Sequence, residues 1–324
     1  MNRRQLLIGI AAVAIPAVRA HAQQNRHPPR VGYLSFGTSS QELHEAFREG
    51  MRAAGYVDGR NVVIEYRFAE RSRERLRALA QELVRLQPDV IVAPDPPSFG
   101  AVIGATKTIP IVIRASYDPV ASGIVASLAR PGGNVTGVFS LYSELIAKRL
   151  ELLKEAAPSA SRVLVLLDAR DSNTTSALSR AEAAARSLGI HLLPRDVRSA
   201  SELKNAFESA AREHADGLLV LRAPVFVETA GQVAQFAAAA RLPAVYDDAR
   251  YMQAGGLMSY GPSLRALYRQ TATYVDRILK GAKAADLPIE QPRTLELMIN
   301  LRTAEALGLA IPQQLLLRAD RIIE

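Results

Sequence analysis

From Arg30 onward, short apolar runs alternate with stretches of helical periodicity, and the alternation continues through most of the chain. A short apolar run followed by a helical stretch is typical of a β-strand and the helix that leads to the next parallel strand. Repeated units of this kind predict an α/β fold in which parallel sheets are covered by helices. The alternation runs through one round and then begins again, which predicts two similar lobes without a visible residue-level repeat. The predicted strands are residues 30–36, 61–68, 89–93, 109–113 and 134–140, and then 162–168, 190–197, 216–221 and 242–246.

The last seventy residues depart from this rhythm. Two further strands are predicted at 255–261 and 293–299, with a helix at 262–281 after the first and a short helix at 301–307 after the second. These pieces must join sheets that already exist, so we expect the chain to cross between the lobes more than once. The prediction assigns residues 23–140 and 253–287 to lobe 1, and residues 141–252 and 288–324 to lobe 2.

The first 22 residues have the pattern of a secretory signal peptide. Arg3 and Arg4 precede an apolar stretch at 6–18, and Ala20-His21-Ala22 matches a small-x-small cleavage site. A membrane anchor is the alternative, but the apolar stretch is shorter than the ~20 residues that a spanning helix needs. We expect cleavage after Ala22, export by the general or the twin-arginine route, and a periplasmic mature protein.

Charge and cysteine content narrow the class of partner. The formal charge of the chain is +8, and three of its arginines lie in the predicted signal peptide, which contains no acidic residue. The mature chain therefore carries +5, with both signs mixed along its helices, a pattern typical of solvated faces rather than of a nucleic-acid partner. The chain contains no cysteine, so it has neither disulfides nor a thiol for a lipid anchor.

The segment 114–137 is rich in glycine and proline, which raises the question of a phosphate-binding loop. Its glycines follow a predicted helix at 119–129 and precede a strand, whereas a dinucleotide fingerprint requires the opposite order. A P-loop would also need a Gly-Lys-Ser/Thr ending, which the segment lacks. We therefore interpret 131–134 as a helix end and a turn into the strand that leaves lobe 1.

Catalytic and metal-binding patterns are weak. His44, His191 and His214 lie on separate predicted elements, without the neighbours of a Ser-His-Asp triad. The sequence has no His-x-x-x-His pair and no cysteine cluster for a metal. The adjacent pair Asp247-Asp248 is expected to point its side chains apart. The sequence thus favours a binding protein over an enzyme, without a cofactor.

Ligands of open α/β sheets bind beyond the carboxyl ends of the strands. At those ends, the hydroxyls of Ser39, Ser40 and Ser98 lie near helix starts and suit a carboxylate, although Ser39 also fits a simple helix cap. Asp118 suits a ligand ammonium or a helix cap. Arg222 suits a second acidic group or a surface position.

Aromatic side chains near the same ends suggest an apolar or planar ligand held between rings, although each ring alone also fits ordinary packing. The rings in question are Phe36, Tyr117 and Tyr251. The complete set of candidate ligand-binding residues is Ser35, Phe36, Ser39, Ser40, Asp95, Ser98, Tyr117, Asp118, Phe139, Asp171, Arg222, Phe226, Asp247 and Tyr251.

Four ordered motifs, at 54–70, 117–138, 254–262 and 295–312, resemble the substrate-binding proteins of a bacterial ABC importer family that includes tryptophan and other aromatic-amino-acid binders. The resemblance implies a type I periplasmic binding fold, with two doubly wound lobes, three crossovers and a ligand between the lobes. We place the hinge crossovers near 139–141, 251–255 and 288–294. Members often have a glycine-rich stretch after the third strand, where this chain has Ala-Pro-Asp-Pro-Pro-Ser-Phe-Gly-Ala.

The function that these observations favour is capture of a small amino acid or carboxylate by a monomeric solute-binding protein that delivers it to an inner-membrane permease. We expect Ser39, Ser98 and Asp118 to hold the polar end of the ligand, and Arg222 to engage when the lobes close. A sensory module of the same fold and an exported α/β enzyme are the alternatives. A transcription regulator would need a DNA-binding domain where the signal peptide lies.

Overall fold

The computed structural model describes residues 28–37, 41–140, 142–171 and 173–324. The predicted signal peptide and its cleavage site therefore lie outside the described residues, as do the candidate ligand residues Ser39 and Ser40. Among the described residues, no helix is long and apolar enough to cross a membrane.

Two sheets form the centres of the two lobes. The first has the order β2-β1-β3-β4-β5, and all of its neighbouring strands are parallel. Its strands are β1 (Arg30–Ser35), β2 (Val63–Phe68), β3 (Val90–Ala93), β4 (Ile111–Ala115) and β5 (Val135–Phe139). Every residue of β3, β4 and β5 is buried, as expected for parallel strands that are covered on both faces.

The second lobe contains the order β7-β6-β8, which continues through a parallel bridge between Leu218 and Ala244 into the order β9-β10-β11-β12. Its strands are β6 (Arg162–Leu167), β7 (His191–Asp196), β8 (Gly217–Val220), β9 (Val245–Tyr246), β10 (Met258–Pro262), β11 (Leu295–Asn300) and β12 (Arg321–Ile323). The pair β10–β11 is antiparallel, and the other pairs are parallel. The predicted α/β fold with mostly parallel sheets is confirmed, with this one antiparallel pair as the exception.

Helices connect and cover the strands. In chain order they are α1 (Gln41–Ala53), α2 (Arg73–Arg85), α3 (Pro96–Ala105), α4 (Ile146–Ala156), α5 (Thr174–Leu188), α6 (Leu203–Arg212), α7 (Pro224–Glu228), α8 (Ala230–Ala239), α9 (Arg250–Gln253), α10 (Leu264–Leu279), α11 (Leu301–Leu307) and α12 (Gln313–Leu316). Short 3₁₀ turns occur at Ala200–Glu202 and Ala284–Asp286. The short helix predicted at 301–307 has the observed bounds of α11.

The first sheet separates two apolar cores because successive residues of a strand point to opposite faces. Tyr33 of β1 packs with Phe47 of α1 and with Val275 of α10 on one face. Its neighbour Leu34 packs on the other face, with side chains of α2 and α3 that include Phe99. The sheet is therefore clamped between α1 and α10 on one side and α2 and α3 on the other, and its strand ends are held in place.

The helix predicted at 119–129 is not formed, and that prediction is wrong. The segment folds into successive turns instead. Gly123 adopts a left-handed φ of +71°, and its N–H bonds to the carbonyl of Val120 rather than to a residue four positions back. A serine–glycine pair in the middle of the segment favours such a turn over a continuous helix, because glycine adopts positive φ without steric cost. The segment still ends in the predicted turn before β5.

The boundary prediction for lobe 1 is wrong for part of the segment 253–287. Strand β10 pairs with β9 and β11 in the second lobe, whereas α10 packs against α1 in the first. A strand that follows β9 after one short helix pairs beside it at little cost in loop closure, which explains the placement. The crossing predicted at 251–255 therefore occurs after Pro262.

The chain crosses between the two sheets at two further places. The chain leaves the first lobe after Phe139, and it leaves again between Glu290, which pairs with β5, and Leu295, which pairs with Pro262. Because β11 enters the sheet at the end where β10 leaves it, β11 must run antiparallel to β10.

Candidate functional site

The carboxyl ends of the strands and the crossovers lie in one region at the boundary of the lobes. Tyr142 follows the first crossover, and the guanidinium carbon of Arg222, beyond β8 in the second lobe, lies 3.7 Å from the centre of its ring. The charge of Arg114, from β4 of the first lobe, also acts on the Tyr142 hydroxyl. Tyr142 thus lies within the electrostatic reach of an arginine from each lobe.

Arg114 is the least satisfied charged group of this region. It lies near the end of β4 and is only 6% exposed, yet its Nε and Nη1 atoms have no hydrogen-bond partner among the residues that the structure describes. Its guanidinium carbon lies 5.8 Å from the ring centre of Tyr268 on α10, and the guanidinium also hydrogen-bonds to the Tyr268 hydroxyl. Buried polar groups are nearly always hydrogen-bonded in native proteins, so an unsatisfied buried guanidinium marks a candidate site for an anionic ligand.

Two hydroxyls beside the first crossover share this property. The Ser140 and Tyr142 side-chain oxygens are buried and have no hydrogen-bond partner within the described part of the chain. Burial raises the pKa of Tyr142, and the nearby Arg222 and Arg114 partly oppose that rise. The phenol is therefore neutral at physiological pH and can donate a hydrogen bond.

Arg222, in contrast, is satisfied by its own lobe. Its Nη1 lies 2.8 Å from Asp247 Oδ2 and 3.5 Å from Asp248 Oδ2. Arg250 Nε lies 3.0 Å from Asp248 Oδ1. Burial alone would lower the pKa of Arg222, but Tyr142 and the two carboxylates outweigh it and hold that pKa above its usual range. The predicted ligand residues Arg222 and Asp247 thus form a buried network with each other.

A second buried arginine joins the crossovers to each other. Arg149 on α4 is 2% exposed, and it donates from Nε to the carbonyl of Tyr260 at 2.8 Å and from Nη1 to that of Tyr142 at 2.9 Å. Tyr142 follows the first crossover and Tyr260 precedes the second. The residue after Tyr260 must be a glycine, because a Cβ on Gly261 would lie 2.3 Å from the carbonyl oxygen of Asp247.

The structure brings four predicted residues of lobe 1 together around Asp95. This carboxylate caps α3, with Oδ1 accepting from the Ser98 amide at 2.9 Å and Oδ2 accepting from the Ser35 hydroxyl and the Phe36 amide. The Ser98 hydroxyl donates to the Asp95 carbonyl. Asp95 therefore fixes the loops after β1 and β3 relative to each other, and both of its oxygens are already engaged.

Asp118 and Asp171 also form local turns. Asp118 is exposed, and its Oδ1 accepts hydrogen bonds from the amides of Val120 and Ala121. These bonds match the capping role that the sequence offered as the alternative to a ligand contact. Asp171 Oδ1 accepts from the amide of Asn173. Burial raises the pKa of Tyr117, and the charge of Asp171 of the second lobe raises it further.

The predicted aromatic contacts divide between the two lobes. Phe36 and Tyr117 are partly buried against the first lobe's core, in which Phe139 is also buried. Tyr251 is 2% exposed in the second lobe's core and donates to the carbonyl of the fully buried Phe226 at 3.1 Å. The three-ring arrangement of Phe36, Tyr117 and Tyr251 is therefore not formed, because Tyr251 stacks on Tyr246 instead.

A family model for ABC transporter substrate binding proteins matches residues 36–323. The chain belongs to this family. Its members are solute-binding proteins and not enzymes, in agreement with the interpretation of the sequence. The resemblance stated from the four motifs is thereby confirmed.

Individual relatives extend the comparison. A tyrosine-binding protein of Clostridioides difficile (strain R20291) is 27% identical over 271 residues, which cover 84% of this chain and 78% of that protein. A conserved domain protein of Vibrio cholerae has a TM-score of 0.80 and 28% identity, over 91% of this chain and all of that one. An ABC domain from Streptococcus pneumonia in complex with L-Trp has a TM-score of 0.81 and 24% identity, over 92% of this chain and all of that one. These similarities agree with the type I periplasmic binding fold.

Sequence reasoning missed Arg114, Ser140 and Tyr142 as site residues of this substrate-binding protein. For Arg114 a signal exists, since it is a single charged residue at the end of the apolar run Ile-Pro-Ile-Val-Ile. A charged residue at a position that must be buried on both faces of a parallel sheet is expected to serve a binding function or an ion pair. For Ser140 and Tyr142, the sequence offers no comparable signal.

Proposed function

We propose that this substrate-binding protein captures a small ligand bearing a carboxylate, an amino acid or a simpler acid, between its lobes and delivers it to an ABC permease of the inner membrane. The observation that carries the proposal is Arg114, a buried guanidinium with two unsatisfied nitrogens at the carboxyl end of β4. A carboxylate accepts two parallel hydrogen bonds from one guanidinium, which is the strongest geometry for such a pair.

The surroundings of Arg114 support the proposal. Ser140 and Tyr142 add two unsatisfied buried hydroxyls close to the first crossover. Guanidinium nitrogens left without a partner in a buried position cost free energy that a bound carboxylate recovers. The ligand thus supplies the missing partner to a site that the fold holds ready.

Closure of the lobes follows from the position of this site. The three crossovers, after Phe139, after Pro262 and between Glu290 and Leu295, are the hinges of the proposed motion. A ligand shifts the open–closed equilibrium only through unequal affinity for the two states. Contacts from both lobes supply that inequality, with Arg114 in lobe 1 and Asp171, whose charge acts on Tyr117, in lobe 2. A permease then distinguishes loaded from empty protein by its closed form.

Two relatives support an aromatic ligand, because one carries the name tyrosine-binding protein and another was solved with L-Trp. Among the residues singled out from the sequence, Phe36 and Tyr117 are the partly exposed rings of lobe 1 that remain proposed contacts. Export through the N-terminal signal, cleavage after Ala22 and a monomeric periplasmic protein complete the proposal.

The test is a thermal-shift screen of amino acids and small carboxylates on the mature protein. A ligand at 100 times its Kd adds roughly 2.7 kcal/mol of stability, which raises the melting temperature by several degrees in a protein of this size. Arg114→Met is expected to abolish the shift. The matched control is Arg60→Met at an exposed arginine, which is expected to retain it. A ligand that stabilises the Arg114→Met protein as well as the wild type would refute the proposed site.

A further inference from the structure

Arg114 lies on the face of the first sheet that α1 and α10 cover. Successive residues of a strand point to opposite faces, so Arg114 shares its face with Val112, which packs in the core formed with α1 and α10. Tyr268 of α10 belongs to the same core and is 7% exposed. Its hydroxyl hydrogen-bonds to the Arg114 guanidinium, and its ring centre lies 5.8 Å from the guanidinium carbon. Both the ring and the hydroxyl of one side chain therefore contact this charged group.

The chemistry of the two groups fixes the direction of their hydrogen bond. A guanidinium has donors only, so the Tyr268 oxygen accepts the bond, and the phenol keeps its own proton. Burial raises the pKa of Tyr268, and Arg114 only partly opposes that rise, so the phenol is neutral at physiological pH. Tyr268 thus orients the guanidinium without cancelling its charge, whereas a carboxylate at the same place would do both.

A second arginine–tyrosine pair in the same lobe provides a comparison. Arg48 Nε donates to the Tyr66 hydroxyl at 3.0 Å, and the Arg48 guanidinium carbon lies 4.7 Å from the Tyr66 ring centre. Arg48 is exposed, and its Nη1 lies 3.8 Å from a carboxylate oxygen of Glu45. Arg114 has the same kind of aromatic partner, but it is buried, and two of its nitrogens lack a hydrogen-bond partner in the described part of the chain. The two pairs therefore differ in what remains for a ligand to satisfy.

We propose that Tyr268 is the positioning residue of the carboxylate site, a role that rests on the proposed function of Arg114. The phenol fixes the guanidinium so that its remaining nitrogens meet the carboxylate of a bound amino acid or simpler acid in one orientation. Binding then costs less side-chain entropy, because the guanidinium is already ordered. Without the hydroxyl, Arg114 keeps its charge and loses its fixed direction, so affinity falls while binding persists.

Calorimetric titration of the mature protein measures this role, with L-tyrosine, L-tryptophan, L-leucine and 3-phenylpropanoate as probes. Tyr268→Phe keeps the ring and removes the hydroxyl. It is expected to weaken binding of the tightest probe about threefold to tenfold, which corresponds to the net value of one hydrogen bond. Tyr66→Phe is the matched control, since it removes the hydroxyl of the other arginine–tyrosine pair, and it is expected to leave the affinity within about twofold of the wild type.

A double-mutant cycle with Arg114→Lys separates positioning from a general structural role. An ammonium is a compact point charge and does not need the planar orientation that the phenol gives to a guanidinium. Tyr268→Phe is therefore expected to cost less than about twofold in affinity in the Arg114→Lys background. A substitution that only disturbed the fold would cost the same affinity in both backgrounds.

The outcomes separate this inference from the proposed function. Suppose that Arg114→Met abolishes binding of the probe. Wild-type affinity in Tyr268→Phe, or an equal cost of that substitution in both backgrounds, then overturns the positioning role and leaves the carboxylate site standing. If Arg114→Met binds the probe as tightly as the wild type, or if no probe binds the wild type, the carboxylate site itself is wrong and the positioning role fails with it.

Discussion

Arg114 and Arg222 lie on opposite sides of the lobe boundary, and both act on the phenol of Tyr142, but they differ in what satisfies them. Arg222 pairs with Asp247 and Asp248 and stacks on the Tyr142 ring. Arg114 has a neighbouring ring, Tyr268, and two nitrogens without a partner. The comparison shows that burial of a charged residue does not by itself indicate its role. An arginine whose charge is paired with carboxylates of its own lobe builds the fold, and an arginine with buried nitrogens left over is available to a ligand.

Removing each arginine in turn is the strongest way to break this comparison. Arg222→Met leaves Asp247 and Asp248 buried beside a neutral side chain, which is expected to lower the free energy of unfolding by about 3–5 kcal/mol. Arg114→Met removes a buried charge that has no ion-pair partner, so the ligand-free protein is expected to keep its stability or to gain slightly. Chemical denaturation measures both, with exposed Arg186→Met of α5 as the control. Equal losses in the two variants would contradict the distinction.

Arg149 provides an intermediate case, since it is charged and buried but bonds to two carbonyls rather than to acids. Arg149→Met leaves the carbonyls of Tyr142 and Tyr260 without this donor, and we expect a loss of roughly 1–3 kcal/mol. Arg149→Lys is expected to recover only part of that loss. Its ammonium can donate to a carbonyl, but it lacks the two fixed nitrogens with which the guanidinium reaches both carbonyls at once. Denaturation midpoints of the two variants measure the difference. A Lys variant as stable as the wild type would show that the fold does not need both hydrogen bonds from residue 149.

The sequence predicted the strands of both lobes because the apolar runs and helical periods are local signals. It missed β12, α9 and α12 because elements of three or four residues carry little periodicity, and it also did not predict α4. It placed β10 in the wrong lobe, since pairing partners are chosen by contacts that a local pattern does not contain. The site was harder still. Asp95 was a candidate ligand-binding residue, and only the folded chain shows that Ser35, Phe36 and Ser98 occupy its oxygens.

The dependence of stability on pH tests the same comparison through the carboxylates that pair with Arg222. Burial would raise the pKa of Asp248, but Arg250 and Arg222 outweigh it and hold that pKa below its usual range. A lowered pKa means that the ionised carboxylate stabilises the fold above the unfolded value near 3.9, and that this stability is lost as the pH falls through the folded pKa.

Asp248→Asn is therefore expected to be less stable than the wild type at pH 7, by about 1–3 kcal/mol, because it weakens a buried charge pair. The deficit is expected to shrink between pH 4 and pH 2, where the wild-type carboxylate also loses its charge. Unfolding curves across pH 2–7 measure the deficit. A deficit that stays constant down to pH 2 would show that Asp248 is not ionised in the folded protein.

Asp118 is expected to produce the smallest effect and provides the sharpest test of the sequence-based site. The sequence suggested either a partner for a ligand ammonium or a helix cap at this position. In the structure, Asp118 is exposed, and its Oδ1 accepts from the amides of Val120 and Ala121 at 2.8 and 3.2 Å. Asp118→Ala is then expected to lower the free energy of unfolding by at most about 1 kcal/mol, the value of a solvent-accessible turn hydrogen bond. Asp118→Asn keeps an acceptor oxygen and is expected to change the stability very little.

Affinity for the ligand found by the screen should stay within about twofold in both variants. Truncating one partner of a buried charge pair would instead cost 2 kcal/mol or more, which is roughly thirtyfold or more in affinity. Calorimetric titration of the two variants decides between the roles, because a large loss of affinity in both would restore Asp118 as a direct ligand contact.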